Sequence, residues 1–430
     1  MSYKTVEFKP LNMGRILIWS LFALVLVLAP LLFTSSLSHT MLSQMGIFII
    51  VCLSYNILLG QGGMLSFGHA VYSGLGAFMA IHTLNLIGSG KFPLPVSLVP
   101  IVGGLTGLFF AALFGSVTVK KSGTPFAMIT LGIGELIWAM ALMFPGFFGG
   151  EGGVSSNRVT GAAPLGVTFG PQIQLYYLIA VYTFVCTALM FALTRTPLGR
   201  MLNAVRDNPE RVEFVGYDTR RVRYIAFMIA GFFAGIGGAL AGLNFEIVTS
   251  ENVSGPRSAV YLLFTFLGGA TFFFGAIIGG ILSVLAFVLF SEITKAWLLY
   301  LGLLFLFMVM YAPGGIASLI MMNVRVAAFG KLKPLLGKYL LLLVAGVIAL
   351  TGAAAMIEMV YHLQLNQALG TKLMFLGVEM DAQSASSWFA SLCVLSVGSS
   401  IFEMTRRRFA VQWGATQEYI EKEIKRKESL

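Results

Sequence analysis

The chain has 430 residues, of which 57% are hydrophobic and only 11% charged, with a mean hydropathy of +0.86. Soluble domains average about 45–50% apolar and about 25% charged residues, so a water-soluble globular protein is excluded. The net charge of +10 does not require nucleic acid as a partner, because basic residues of a membrane protein gather in cytoplasmic loops and fix its orientation.

A helix needs about 20 apolar residues to cross the hydrocarbon core. On that measure membrane helices are expected near residues 15–34, 41–60, 67–88, 94–117, 124–144, 174–194, 224–246, 256–271, 273–293, 297–312, 338–361 and 387–404. The expected fold class is therefore all-α: a polytopic transmembrane helical bundle with about ten core segments and two more C-terminal ones. Lys4, Lys9 and Arg15 flank the run Ile16–Phe33, which is longer than the apolar part of a signal peptide and lacks an obvious small-residue cleavage site; it is read as a retained first helix. The 49 glycines suit close packing of membrane helices. Gly60–Gly63 breaks the chain ahead of Ser66–Gly76, and Gly268–Gly269 with Gly275, Gly279 and Gly280 breaks it after Tyr261. Such interruptions are tolerated when buried in protein or lining a cavity, and in transporters they mark the substrate path; simple helix packing explains them equally well. Residues 144–173 form a Gly-rich outside loop, either a lid or a connector.

With the N-terminus inside and the helices alternating, the inside loops collect Lys120, Lys121, the whole 195–223 segment, Arg325, Lys331, Lys333, Lys338 and the tail from Arg406. Only Lys91, Arg158, Arg257, Lys295 and Lys372 fall outside. Both termini are then expected in the cytoplasm.

The segment 195–223 is a charged island with seven arginines and four acids. Leu198, Met201, Leu202 and Val205 have the spacing of one helix face. Asn208 is a suitable N-cap, Pro209 fits the first helical position, Glu210 adds charge to the first turn, and Gly216 is a stop. These signals predict a short helix over 209–215, followed by a second start at Asp218–Thr219. Two capped segments suit a peg for a cytoplasmic partner; an amphipathic segment on anionic lipid is the plainer alternative.

Several polar residues fall inside apolar segments. Glu135 reads as a path residue, as a partner for a helix end or, the preferred reading, as a structural hydrogen-bonding group. His69 could relay protons, but a packed, hydrogen-bonded histidine is the reading adopted. Asn56, Gln61, Ser66, Thr265 and Thr271 are candidates to line a path for a zwitterion or to bond helix to helix. Glu246 and Glu251 are read as solvated. Cys52, Cys186 and Cys393 sit in apolar runs and read as core residues rather than metal ligands.

Gln61-Gly62-Gly63-Met64-Leu65-Ser66-Phe67-Gly68-His69-Ala70, with Gly74-Leu75-Gly76-Ala77-Phe78, resembles the signature of LivM-type permeases, membrane subunits of ABC importers for branched-chain amino acids. The match recurs in Phe126–Leu131 with Glu135, Thr196–Arg200, Arg206–Glu210, Ala226–Gly242 and Tyr311–Ile316. It covers about residues 15–317, giving a permease core (1–317) with a cytoplasmic coupling loop (195–223). An extension (318–430) carries one or two membrane helices and a polar tail. The resemblance implies that Arg206, Asn208, Pro209, Glu210 and Gly216 couple to an ATPase, although Arg211 and Val212 replace the small pair of the family pattern. It also implies a second, LivH-like permease, two ATP-binding subunits, a periplasmic substrate-binding protein, an amino-acid substrate and an inner-membrane location. No G-x-x-x-x-G-K-[ST] occurs, so ATP is expected in partner subunits and no cofactor in this chain. Urea, amides or aromatic acids are the alternative substrates. Another class, an ion-coupled carrier or a membrane enzyme using His69 and Glu135, has little support, since no metal-spaced histidine cluster or nucleophile elbow is present.

Overall fold

The computed structural model describes residues 13–161, 167–365 and 370–428. They are overwhelmingly helical. Among the described residues ten helices are long and apolar enough to cross a membrane, and eleven if one bent pair counts as a single span. The protein is an all-α, multi-pass membrane bundle. Its residues divide into two compact units, Met1–Phe290 with Phe305–Ser318, and Ser291–Leu304 with Leu319–Leu430.

The first unit contains α1 (Met13–Leu32), α2 (Ser36–Asn56), α3 (His69–Gly88), α4 (Val99–Thr118), α5 (Thr124–Met143), α6 (Pro145–Phe148) and α7 (Gln172–Arg195). It continues with α8 (Pro197–Asp207), α9 (Pro209–Phe214), α10 (Thr219–Phe245), α11 (Gly255–Gly268) and α12 (Phe273–Val284). Helices α2 and α12 run on as π-helical turns, Ile57–Gln61 and Leu285–Phe290. Helices α2, α3 and α10 are largely enclosed by the others. Lipid gives no hydrophobic drive for helices to associate, so close backbone approach takes its place. At Gly238 of α10 any Cβ would overlap the Ser73 carbonyl of α3, and a Cβ on Gly280 of α12 would sit 2.7 Å from the Ile49 nitrogen of α2. The packing reading of the glycines therefore holds at these two sites.

Two departures from the sequence reading shape the unit. The segment expected to span as 256–271 is a helix of only 14 residues, about 21 Å at 1.5 Å per residue. The hydrocarbon core is about 30 Å thick. The chain reaches α11 by folding back along its neighbours: Val248 lies beside Gly242, and a Cβ on Gly74 of α3 would meet the Asn252 carbonyl at 2.6 Å. The loop 144–173 is also not a bare connector. Strand β1 (Val154–Ser155) pairs antiparallel with β2 (Ile247–Val248). Arg158 donates to the carbonyls of Leu243, Asn244, Phe169 and Gly170, capping the end of α10. Glu246, expected to be solvated, accepts the Arg158 N–H at 2.8 Å.

Helices α13 (Ser291–Ile293), α14 (Trp297–Tyr311), α15 (Gly315–Ala328), α16 (Lys333–Leu365) and α17 (Ala385–Glu428) complete the chain, the residues of α14 and α15 being divided between the units. In the second unit α16 packs along α17, and β3 (Lys372–Phe375) pairs with β4 (Val378–Asp381). The segment expected to end near residue 404 instead runs on through the tail as one 44-residue helix. Its polar part carries spaced ion pairs, such as Lys422–Glu418 at 2.6 Å. Val326, Leu335 and Ile420 bury a small cluster there. Cys393, read as a core residue, is exposed; Cys52 and Cys186 are buried.

Candidate functional site

The charged island folds as α8 and α9. Thr196 caps α8 by accepting from the Gly199 N–H at 3.2 Å, and Leu202 and Val205 are buried on its apolar face. Asn208 caps α9, accepting from Arg211 N at 3.0 Å, with Pro209 at the first helical position and Glu210 in the first turn. Gly216 ends the segment at φ +91°, where Gly216 N bonds the Glu213 carbonyl and Tyr217 N that of Val212. A left-handed residue after a helix favours glycine because it has no Cβ. Asp218 then caps α10 through Arg220 N and Arg221 N. Val212, one of the two departures from the family pattern, turns inward and is buried; Arg211 is exposed. Sequence reasoning missed the tip itself. Phe214 is 89% exposed and Val215 74%, with Tyr217 exposed beside them. The available signal was three apolar side chains within a run otherwise rich in charge.

The island is also tied to the centre of the bundle. The Arg206 guanidinium donates to the Gly60 carbonyl at 2.5 Å. Its stem covers Gly63, and Leu202 lies against Gly62. This carbonyl belongs to the π-helical end of α2, where a chain end leaves acceptors unpaired and a cation is favoured. One turn earlier, Asn56 donates to the Ala270 carbonyl at 2.5 Å. Ala270 lies in the break between α11 and α12, and a Cβ on Gly60 would overlap its carbonyl. Among the predicted path residues, the structure thus brings Asn56 to this break and Arg206 to the same helix end. Gln61 lines a small apolar pocket with Leu198 and Leu202. Thr271 is exposed in the break, and Thr265 donates weakly to the Cys52 carbonyl at 3.5 Å.

His69 opens α3 and is fully buried. Its Nε2 lies 2.8 Å from the Ser54 hydroxyl, and its ring meets Tyr55 edge-on at 5.0 Å. Nδ1 has no partner among the described residues. Tyr55 donates to the Ser66 carbonyl at 2.7 Å, closing the loop between α2 and α3, while the buried Ser66 hydroxyl is unpartnered. This is the packed histidine of the sequence reading.

Two charges stand at mid-span. Phe48 lies at the middle of the span Ser36–Gln61, and the Arg257 guanidinium stacks over its ring at 5.2 Å. Arg257, placed outside by helix alternation, is half-buried against α2, where the fold-back before α11 carries it. Its Nε donates to the Tyr261 hydroxyl at 3.2 Å, and the Tyr261 ring lies 5.5 Å away. Arg257 shares a crevice of about 10 Å³ with Ser73, Gly74, Gly238 and Asn252, about one water in size. Glu135, near the middle of α5, is exposed and has no hydrogen-bond partner among the described residues, and a Cβ on Gly255 would sit 2.8 Å from its Oε1. A charge at the bilayer centre costs roughly 2.5–3.5 kcal/mol on insertion scales, so unpaired ones mark functional positions.

A buried centre of broken helices, wrapped by membrane spans and tied to a water-facing helical island, defines a membrane transport subunit. The chain belongs to the family described as branched-chain amino acid transport system, permease component, whose profile matches residues 38–314. It is similar to the high-affinity branched-chain amino acid transport system permease protein LivM of Escherichia coli, 27% identical over 292 residues that cover 63% of this chain and 67% of that one. It is also similar to the galactose/methyl galactoside import permease protein MglC of Haemophilus influenzae, 26% identical over 275 residues (61% and 78%). A shorter likeness, 30% over 122 residues (25% and 37%), links it to the guanosine ABC transporter permease protein NupQ of Bacillus subtilis. No solved structure gives a significant match. The LivM-type resemblance read from the motifs is thereby established, and the membrane-enzyme reading falls away.

Proposed function

We propose that the chain is the inner-membrane permease subunit of an ATP-driven importer for branched-chain amino acids. It forms the translocation path with a second permease and receives substrate from a periplasmic binding protein. Two partner subunits bind and hydrolyse ATP, and this chain holds no cofactor. Both termini and the α8–α9 island lie in the cytoplasm. Galactoside and nucleoside permeases among the relatives keep sugars and nucleosides as alternative cargo.

The observation that carries the reading is the island: a capped short helix with an exposed apolar tip, bonded through Arg206 to the end of α2. An amphipathic segment lying on lipid has no need of a bond into the bundle. In this role Arg206, Asn208, Pro209, Glu210 and Gly216 shape the ATPase-docking peg. Asn56, Gln61, Ser66, His69, Glu135, Thr265 and Thr271 belong to the path or to the packing around it. The test is the double variant Glu210→Ala, Gly216→Val in cells expressing the complete transporter. It should insert into the membrane yet neither co-purify with the ATPases nor support leucine uptake. Normal uptake would remove the coupling role.

A further inference from the structure

Helix α1 lies ahead of the segment matched by the family profile, which begins at residue 38. Its packing is sparse: of its residues only Pro30 is buried. Pro30 has no N–H, so the Leu26 carbonyl four residues back lacks its helical partner. The Tyr176 hydroxyl of α7 donates to that carbonyl at 2.7 Å, and Tyr177 donates to the Val27 carbonyl at 3.4 Å. Nearer the start of α1, Trp19 meets Phe184 and Phe191 of α7 edge-on at 5.7 and 5.5 Å. Beside Trp19 the two helices leave an open-sided groove of about 580 Å³, lined on the α7 side by the small residues Ala188 and Ala192 as well as the two rings. Arg15 and Arg195 line the same groove, and no acidic side chain among the described residues does. The Arg195 guanidinium stacks on the Phe191 ring at 5.1 Å, which occupies its face and leaves its N–H edge to donate elsewhere. Arg195 forms no ion pair with a described residue. Basic residues at the ends of spans, with aromatic ones beside them, are ordinary at a membrane boundary. That rule alone does not bring two arginines from different helices to one apolar groove.

We propose that the seam between α1 and α7 binds one anionic phospholipid, with its phosphate held by Arg195 and Arg15 and an acyl chain laid in the groove against Trp19 and Phe184. A guanidinium offers a planar fork of donors that matches a phosphate, and basic pockets between membrane helices suit the head groups of anionic lipids. Two guanidinium groups at one groove repel each other, and an anion between them replaces that repulsion with attraction. A soluble anion has no use for an aromatic wall, and an apolar partner helix has none for two arginines at the groove's edge. Both features on one groove select an amphiphile. Thr196, the cap of α8, lines the groove as well, so the lipid sits at the root of the charged island. The site depends on neither the cargo nor the ATPase.

The test measures binding of phosphatidylglycerol to the delipidated complete transporter by native mass spectrometry, with phosphatidylcholine as the neutral control. Uptake is not read, so the outcome is separate from the importer reading. The unmodified transporter should prefer phosphatidylglycerol. Arg15→Gln together with Arg195→Gln should weaken that binding about 30-fold, about fivefold for each arginine, with the thermal midpoint in phosphatidylcholine near wild type. Ala188→Phe keeps both arginines but fills the groove, and should lose the same lipid. Equal affinity of the unmodified transporter for the two lipids, or wild-type phosphatidylglycerol binding by the double variant or by Ala188→Phe, would overturn the site. A lowered midpoint in both variants would make the seam a structural joint and overturn it too. Displacement of the lipid by an equal concentration of inorganic phosphate would reduce the groove to an ion site. Binding by the chain alone that the complete transporter abolishes would make it the seat of a partner helix. Either result overturns the proposal.

Discussion

Arg206→Ala tests the bond between the island and the centre of the bundle. The wild-type guanidinium donates to the Gly60 carbonyl at 2.5 Å and also pairs with Asp207 at 2.9 Å. Hydrogen bonds involving a charged group contribute about 1.5–3 kcal/mol net. The Arg206 side chain keeps 34% of its exposure, so water competes for it, and about 1–2 kcal/mol is the appropriate range. The Asp207 pair is solvent-exposed and adds little. Since about 1.4 kcal/mol is a factor of ten, the link should weaken by about 5–30-fold. The assay is leucine transported per ATP hydrolysed by the reconstituted transporter. The ratio should fall within that range, with hydrolysis itself near wild type, because α9 and its exposed tip are untouched. Arg206→Lys should restore part of the ratio, since an ammonium can still reach one carbonyl. An unchanged ratio in Arg206→Ala would refute the claim that this bond carries the motion.

Two further changes probe the docking tip and the helix packing. Phe214→Asp places a charge where an apolar side chain is 89% exposed; a central contact of this kind is worth about 2 kcal/mol or more, so ATPase affinity in nanodiscs should drop about 30-fold, and equal affinity would remove Phe214 from the interface. Gly238→Leu forces a Cβ into the Ser73 carbonyl of α3, so the thermal midpoint in detergent and the monodisperse yield should both fall; a wild-type midpoint would mean that α3 and α10 can separate without cost.

Local rules carried much of the fold and part of the site. Asn208, Pro209 and Gly216 announced α9 because capping depends on residues a few positions apart. The membrane helices were legible because length and apolarity suffice to define them. Misreadings arose where distant residues decide. Arg158 and Glu246 meet across 88 positions, and the β1–β2 pair forms with them. Arg257 was placed outside because the segment 256–271 looked like a full crossing. Its contact with Phe48 follows from the fold-back along α10 and α3, which leaves no periodic trace in the sequence. The membrane segment 387–404 and the polar tail were read as separate pieces, whereas they form one helix. Charge ends a membrane span but not a helix, and Glu, Lys, Arg and Ala are good helix formers.

The position of α11 links the island to the centre of the bundle. Its 14 residues form a stiff rod of about 21 Å. One end begins between Glu135 and Arg257; the other leads through Gly269 to Ala270, whose carbonyl is held by Asn56. Gly60, one turn beyond Asn56, is held by Arg206 of the island. If the island displaces the π-helical end of α2, either the Asn56–Ala270 bond breaks or the lower end of α11 follows. Gly269, at φ +120°, is a backbone position that few other residues can occupy, and it gives the break a place to bend. A rod moved at one end must tilt or slide at the other, where Tyr261 clasps Arg257. Tyr261 and Arg257 are therefore on the same helix that the island can move, so a pull on α2 can reach the start of α11 without any contact there from a partner subunit.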